Sequence, residues 1–360
     1  MNPAQQHTAS LPVSGSPRFI KWHLILTLLL VILFVIDLTF GSVYIPIKDV
    51  INTLFGSESV NETYEKIVWL IRFPKAITAV LAGSALAVAG LLMQTMFRNP
   101  LAGPSVLGIT SGASLGVASI MLSAGGYSGI YMINQLGIGQ SWLIVIASSA
   151  GAAFVMIIIL GISIRIRDNV ALLIIGIMIG NLTISVVSIW QYFSNPDQIQ
   201  DYLMWTFGSL GGVSNSQLTI FGTAVLAGIL LSFFSSKPLN ALLLGENYAR
   251  SIGIRTGTIR FLIIASTSIL AGATTGFTGP IAFIGIAVPH ITRNLLNQSD
   301  HKVLIPATML AGAALMLICD IISQVPGSQI TLPINAITAM IGSPVVIWII
   351  MKRRTINSGF

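Results

Sequence analysis

Ten mostly apolar stretches recur along this chain, most of them roughly 17 to 25 residues long, and in hydrocarbon only a helix satisfies its own backbone groups over such a length. Their cores read as 22–40, 75–96, 104–123, 142–163, 170–193, 217–234, 260–276, 281–295, 303–322 and 333–351. Composition agrees: the 360 residues are 54% hydrophobic and 8% charged, against roughly 25% charged in a soluble domain. The expected fold class is an all-α integral membrane protein with about ten transmembrane helices. The seventh and eighth stretches are short and separated by the breaker GFTGP (276–280), so they also suit a helical hairpin that does not cross fully.

Lys and Arg test this count, because cytoplasmic loops are enriched in them. With the N-terminus inside, the inner segments carry Arg18, Lys21, Arg98, Arg165, Arg167, Lys237, Arg250, Arg255, Arg260, Arg293, Lys302, Lys352, Arg353 and Arg354. The other four cations, Lys48, Lys66, Arg72 and Lys75, share the first outer loop with Asp49, Glu58, Glu62 and Glu65. Both termini are therefore expected in the cytoplasm, with a tail over 1–21, one membrane domain over 22–352 and a tail over 353–360. The formal net charge of +7 then reflects topology and anionic lipid rather than nucleic acid. Two halves of five spans would be inverted relative to each other, as in many transporters. The first span is long for a signal peptide and no convincing cleavage site follows it, so it is expected to stay as an anchor.

Pro and Gly are placed with purpose. In QTMFRNPLAGPSVLG (94–108), Pro100 and Pro104 remove donors and restrict their neighbours, which makes a built turn. Small residues in AGSALAVAG (82–90) and SGASLGVAS (111–119) let helix backbones approach closely. Trp22, Trp69, Trp142 and Trp205 near span ends read as interfacial anchors. Catalytic constellations are lacking: His7, His23, His290 and His301 are scattered, and the single Cys319 excludes an intrachain disulfide and reads as packing. No G-x-x-x-x-G-K-[ST] phosphate loop occurs, so any ATP used in transport is bound by another protein. An ion-coupled carrier working alone would place ionisable groups near the bilayer midplane. Asp37 and Asp320 fall toward outer span ends and read as hydrated carboxylates, with a pathway-lining or proton-relay role as the alternative.

The longest inner interruption, 235–260, reads SSKPLNALLLGENYARSIGIRTGTIR. Pro238 opens a short helix, Leu242 to Leu244 give it an apolar side, Gly245 breaks it, and Glu246 to Ile252 form a second turn before Gly253. Short amphipathic helices of this kind suit a partner's groove, and they equally suit a loop lying along headgroups.

Five ordered motifs now resemble one family, the FecCD permeases of binding-protein-dependent ABC importers for iron chelates, haem and cobalamin. They are GPIAFIGIAVPHITR (279–293), RNPLAGPSVLG (98–108), LGENYARSIGI (244–254), DHKVLIPATMLAGA (300–313) and LPINAITAMIGSPVVIW (332–348). The resemblance covers about 22–352 and implies a type II importer permease fold that works as a dimer, of two copies or two homologous chains. It implies an ABC ATPase subunit that binds ATP and Mg²⁺, an extracytoplasmic substrate-binding protein, lipid contact, and a bacterial or archaeal plasma (inner) membrane. This chain would bind no cofactor and catalyse nothing. A ferric siderophore is the expected substrate, with haem and cobalamin as alternatives.

Residue by residue, the resemblance implies ATPase coupling through a loop at 239–254, with Leu243, Leu244, Gly245, Glu246, Ala249, Arg250 and Gly253. The NPL turn, Asn99, Pro100 and Leu101, would contribute to an inner gate. IRFPK (71–75) is similar to an outer segment that receives acidic residues of the binding protein, here through Arg72 and Lys75. Some relatives carry a further Arg where DIISQ (320–324) ends in Gln324. Gly285, Pro289, His290 and Arg293 belong to the most specific motif and are expected to be structural, with His290 bonding loop backbone and Arg293 holding a span end or headgroup.

Overall fold

The computed structural model describes residues 17–56, 61–122, 140–166, 168–325 and 330–357. Most of the expected N-terminal tail, Glu58, Arg167 and the last three residues of the C-terminal tail lie outside them. Regular structure among the described residues is entirely helical. The helices are α1 (Pro17–Thr39), α2 (Ile47–Phe55), α3 (Glu62–Ile67), α4 (Phe73–Phe97), α5 (Ile109–Met121), α6 (Gln140–Arg165), α7 (Asn169–Phe193) and α8 (Pro196–Thr206). They continue with α9 (Asn215–Phe234), α10 (Ser236–Leu244), α11 (Glu246–Ser251), α12 (Thr256–Thr278), α13 (Ile284–Leu296), α14 (His301–Ser323) and α15 (Ile334–Asn357).

Each of the ten expected spans meets a helix. Seven described segments are long and apolar enough to cross a membrane; α5, α13 and the apolar part of α15 are shorter. The second span begins well before Lys75. Helix α3 runs into α4 through a π turn, Val68–Arg72, giving one helical segment Glu62–Phe97 of 36 residues. The wider turn accommodates Pro74, whose missing N–H and bulky ring break a regular α ladder. The seventh span is likewise longer than 260–276, because α12 has 23 residues and takes Arg260 inside it. Arg260 does not end the helix because its guanidinium reaches back, with Nη1 donating to the carbonyl of Ile166 at 2.9 Å. The partial-hairpin alternative therefore applies at most to α13, whose 13 residues begin at the break after Thr278. Helices α2, α3 and α8 were not expected, and they carry Lys48, Lys66 and Asp197.

Helix α4 is the centre of the bundle. It packs on α14, α12, α13 and α9, and from Ala82 to Phe97 every residue is buried. Hydrocarbon is as apolar as leucine, so helices gain little from hiding leucine and must gain from close packing and interhelical hydrogen bonds. AGSALAVAG supplies the first, as its composition suggested. A Cβ on Gly83 would collide with the carbonyl of Gly312 on α14, and one on Gly90 with the carbonyl of Gly285 on α13. Hydrogen bonds supply the second: Ser84 Oγ donates to Met309 O at 3.2 Å, and Gln94 Nε2 donates to Ile286 O at 3.0 Å. The Gln94 bond lands on the residue after Gly285, whose carbonyl loses its helical donor to Pro289.

Gly90→Ala puts a methyl group where the Gly285 carbonyl oxygen lies and must push α13 from α4. The expected loss is about 2 kcal/mol or more. Thermal unfolding in detergent checks it, and an unshifted melting curve would mean that the two backbones are not held this close.

Candidate functional site

Helix α4 carries a polar cluster at each end, and its 25 residues separate them by roughly 36 Å at 1.5 Å per residue. Most of the expected site residues fall into one cluster or the other.

At the Lys75 end, Lys75 Nζ pairs with Asp320 Oδ1 of α14 at 2.9 Å. Gln324 Nε2 donates to Asp37 Oδ1 at 3.1 Å and to Asp320 Oδ2 at 3.2 Å, which joins α1 to α14. Arg72 Nη1 donates to Leu38 O at 2.8 Å, and Nη2 donates to the carbonyl of Val43. Asp37 and Asp320 are only 2% and 1% exposed. This corrects the expectation of hydrated span-end carboxylates: α1, α4 and α14 converge there and exclude water. Two buried carboxylates persist because cations and an amide donor surround them. Arg72 is buried as well and Lys75 nearly so, so neither cation is paired with Glu62 or Glu65; Glu62 bonds Lys66 instead, at 2.6 Å. Gln324 is the amide that both acids share. A cavity of about 710 Å³ opens beside the cluster, lined by Arg72, Lys75, Asp320 and Gln324 and by the Phe207 to Gly212 loop.

At the Arg98 end, the NPL turn is built as expected. Arg98 ends α4 in the left-handed region with φ 48°, and the Asn99 side chain accepts from Leu101 N at 3.0 Å in a side-chain-closed turn. Leu101 is exposed. Arg98 itself spans to the expected coupling segment: Nε and Nη2 donate to Leu242 O at 3.2 and 2.9 Å. That segment forms two helices, α10 and α11, joined at Gly245. Its φ of 132° and ψ of 148° lie in a region that is essentially glycine-only. Gly253, with a positive φ of 83°, follows the end of the second helix.

Within this hairpin Ala249 is fully buried and Leu243 partly so, while Leu244, Tyr248 and Ile252 are exposed at 69%, 47% and 53%. Glu246 pairs with Arg250 at 2.8 Å and lies 3.8 Å from Arg260. The pairing is at the surface for Arg250 and nearly buried for Arg260, so the second contact also fixes α11 to α12.

The specific motif on α13 lies inside the bundle. Gly285 backs onto Leu86 and Pro104, Pro289 and His290 are buried, and Arg293 Nη2 donates to Thr95 Oγ1 of α4 at 3.0 Å rather than reaching a headgroup. The sequence reading missed Asn240, Thr95 and Arg98 as site residues and treated His301 only as a loop flank. Asn240 carries a signal in hindsight, being the one amide inside the apolar run PLNALLL. No group of three or more His, Cys, Asp or Glu side chains able to hold a metal occurs among the described residues.

Comparisons with known proteins agree with this architecture. The model of the FecCD transport family matches residues 29–352. The vitamin B12 import system permease protein BtuC of Klebsiella pneumoniae subsp. pneumoniae is 34% identical over 335 residues, 93% of this chain and 94% of that protein. The protein of the same name from Escherichia coli O9:H4 is 33% identical over 337 residues, 93% of this chain and 96% of its own length. A solved structure described as an inward-facing conformation of an ABC transporter of metal-chelate type superposes with a TM-score of 0.79 at 26% identity, covering 92% of this chain and 99% of that one. With a family model matched over nearly all of its membrane domain and relatives matched end to end, this chain belongs to the FecCD transport family.

Proposed function

We propose that this chain is the membrane permease subunit of an ABC importer, that a separate ATPase binding ATP and Mg²⁺ drives it, and that its substrate is a cobalt corrinoid of the cobalamin type. The observation that carries the importer reading is the α10–α11 hairpin. Two short helices, tethered to α4 by Arg98, hold Leu244, Tyr248 and Ile252 outward at the end of the bundle where the inner cations gather. Exposed apolar side chains on a braced helical hairpin suit a protein groove. Glu246 and Arg250 beside them are fixed by pairing and give that groove polar partners. In this reading both termini and the hairpin face the cytoplasm, the NPL turn sits at the inner mouth of the pathway, and a second copy or homologous chain completes that pathway.

The substrate reading moves from ferric siderophore to cobalamin because the curated relatives at 33–34% identity carry vitamin B12 in their names. Ferric siderophore and haem become the alternatives. At the opposite end, Lys75 faces the 710 Å³ cavity, where an acidic side chain of a substrate-binding protein would compete with Asp320 for its ammonium. Lys keeps the charge there without the two-pronged carboxylate geometry of Arg.

In vesicles holding this chain, its ATPase and the binding protein, uptake of cyanocobalamin is expected to need ATP and to exceed that of a ferric hydroxamate or haem. Uptake driven by an ion gradient without the ATPase would overturn the importer reading, and preference for the hydroxamate would overturn the corrinoid one. Leu244→Glu and Gly245→Val are each expected to uncouple ATP hydrolysis from uptake by roughly tenfold or more while the protein still inserts, since one charges the presented face and the other strains the hinge. Native coupling in both variants would place the contact elsewhere. Lys75→Met strands the buried Asp320 carboxylate and is expected to cost about 3 kcal/mol or more, most of it recovered by adding Asp320→Asn. The same double variant should bind the binding protein roughly tenfold more weakly at low salt; unchanged affinity would remove Lys75 from docking.

A further inference from the structure

Behind the α10–α11 hairpin lies a line of polar side chains that reaches from α10 to the last turns of α4 and α13. Asn240 of α10 donates through Nδ2 to Asp300 Oδ1, the N-cap of α14, at 2.7 Å. Its Oδ1 lies 2.7 Å from His301 Nδ1 and 2.9 Å from the His301 backbone N. His301 Nε2 lies 2.8 Å from Thr95 Oγ1 of α4, and that oxygen receives Arg293 Nη2 of α13 at 3.0 Å. His301 is 0% exposed and Thr95 1%, so each member needs the others as partners.

The acidic end sets the direction of every bond. The Asp300 carboxylate only accepts, so Asn240 turns its Nδ2 toward it and its Oδ1 toward His301. Oδ1 only accepts, so the ring proton of His301 sits on Nδ1. The bare Nε2 then accepts the hydroxyl hydrogen of Thr95, and Arg293 donates to the Thr95 oxygen. Leu91 O, also 2.9 Å from that oxygen, belongs to the helix ladder and does not depend on this hydrogen. With a neutral imidazole, arginine to threonine to histidine to asparagine to aspartate is thus one unbroken donor-to-acceptor line, in which the Thr95 hydrogen goes to His301 Nε2 rather than to Leu91 O.

Resting on the importer reading above, we propose that this line is the link that carries a displacement of α10 into α4, α13 and α14, with Asn240, His301 and Thr95 as positioning residues for coupling. The Arg98 bond to Leu242 O holds the surface of the hairpin, but it is exposed and bends with a flexible side chain. The buried line is different: it joins four helices by short contacts, and α4 and α13 are already locked by their glycine contact, so the helices it joins move as a body. A partner that shifts α10 therefore shifts the Arg98 end of α4, next to the NPL turn.

The experiment uses the full complex of permease, ATPase and binding protein in vesicles, with whichever of cyanocobalamin, ferric hydroxamate or haem the native complex takes up, and reads ATP hydrolysed per substrate imported. Thr95→Val keeps the shape and removes the central hydroxyl; Thr95→Ser keeps the hydroxyl. Thr95→Val is expected to copurify with the ATPase at native yield, keep its basal hydrolysis, and raise the ratio roughly fivefold or more, while Thr95→Ser stays native. A native ratio in Thr95→Val would overturn the proposal alone. A native complex without ATP-dependent uptake would overturn the importer reading and the proposal with it. A second pair guards against a folding defect: Asn240→Asp sets two carboxylates against each other, and adding Asp300→Asn restores a donor opposite an acceptor. Recovery of the ratio in the double variant supports the line, and equal impairment in single and double variants would overturn it.

Discussion

Gly83 and Gly90 bring the backbone of α4 against those of α14 and α13, and the rest of the structure is arranged around that contact. In hydrocarbon there is no solvent to drive leucines together, so tight helix contact must come from shape. Glycine facing glycine lets the helices approach until main-chain atoms touch, and the hydrogen bonds from Ser84 and Gln94 then become short enough to form. The result is a stiff central helix. Its two ends are the places where polar chemistry collects, because a buried helix delivers its terminal side chains to wherever its neighbours also end.

The two ends solve the same electrostatic problem in different ways. At the Lys75 end the solution is charge against charge: an ammonium and a guanidinium stand by two carboxylates, with Gln324 between the acids. At the Arg98 end it is a relay of neutral groups between one cation and one anion, so no two like charges face each other. The first arrangement leaves Lys75 on an open cavity and suits exchange of partners. The second is closed and directional, and suits transmission of movement.

Much of this was legible in the residues. Apolar run length marked ten helices, seven of them in segments long and apolar enough to cross a membrane, the Pro and Gly pattern marked the NPL turn and the hairpin hinge, and the small-residue runs marked the close contacts. Each of these is a local property, decided by the span's own neighbours. Boundaries failed where a residue's effect depended on distant groups. Arg260 looked like the start of a span until the Ile166 carbonyl took its guanidinium, and Lys75 looked like another until the π turn carried the helix back to Glu62. Asp37 and Asp320 looked hydrated for the same reason. Nothing near Asp37 in the chain announces Gln324, which lies 287 positions away.

The sequence by itself determined the helical membrane fold, the family and the breaks at the NPL turn and the hairpin hinge, because hydropathy, charge placement and backbone permissiveness are read along the chain. Only the tertiary structure decided which polar groups are spent inside and which are left to act. Lys75 turned out to be held by Asp320, and Asn240 to be bound to His301 and Asp300, with Thr95 completing the line from 206 positions away. Burial in a low-dielectric bundle makes such pairing obligatory, but the choice of partner belongs to packing geometry, which residue order alone does not contain.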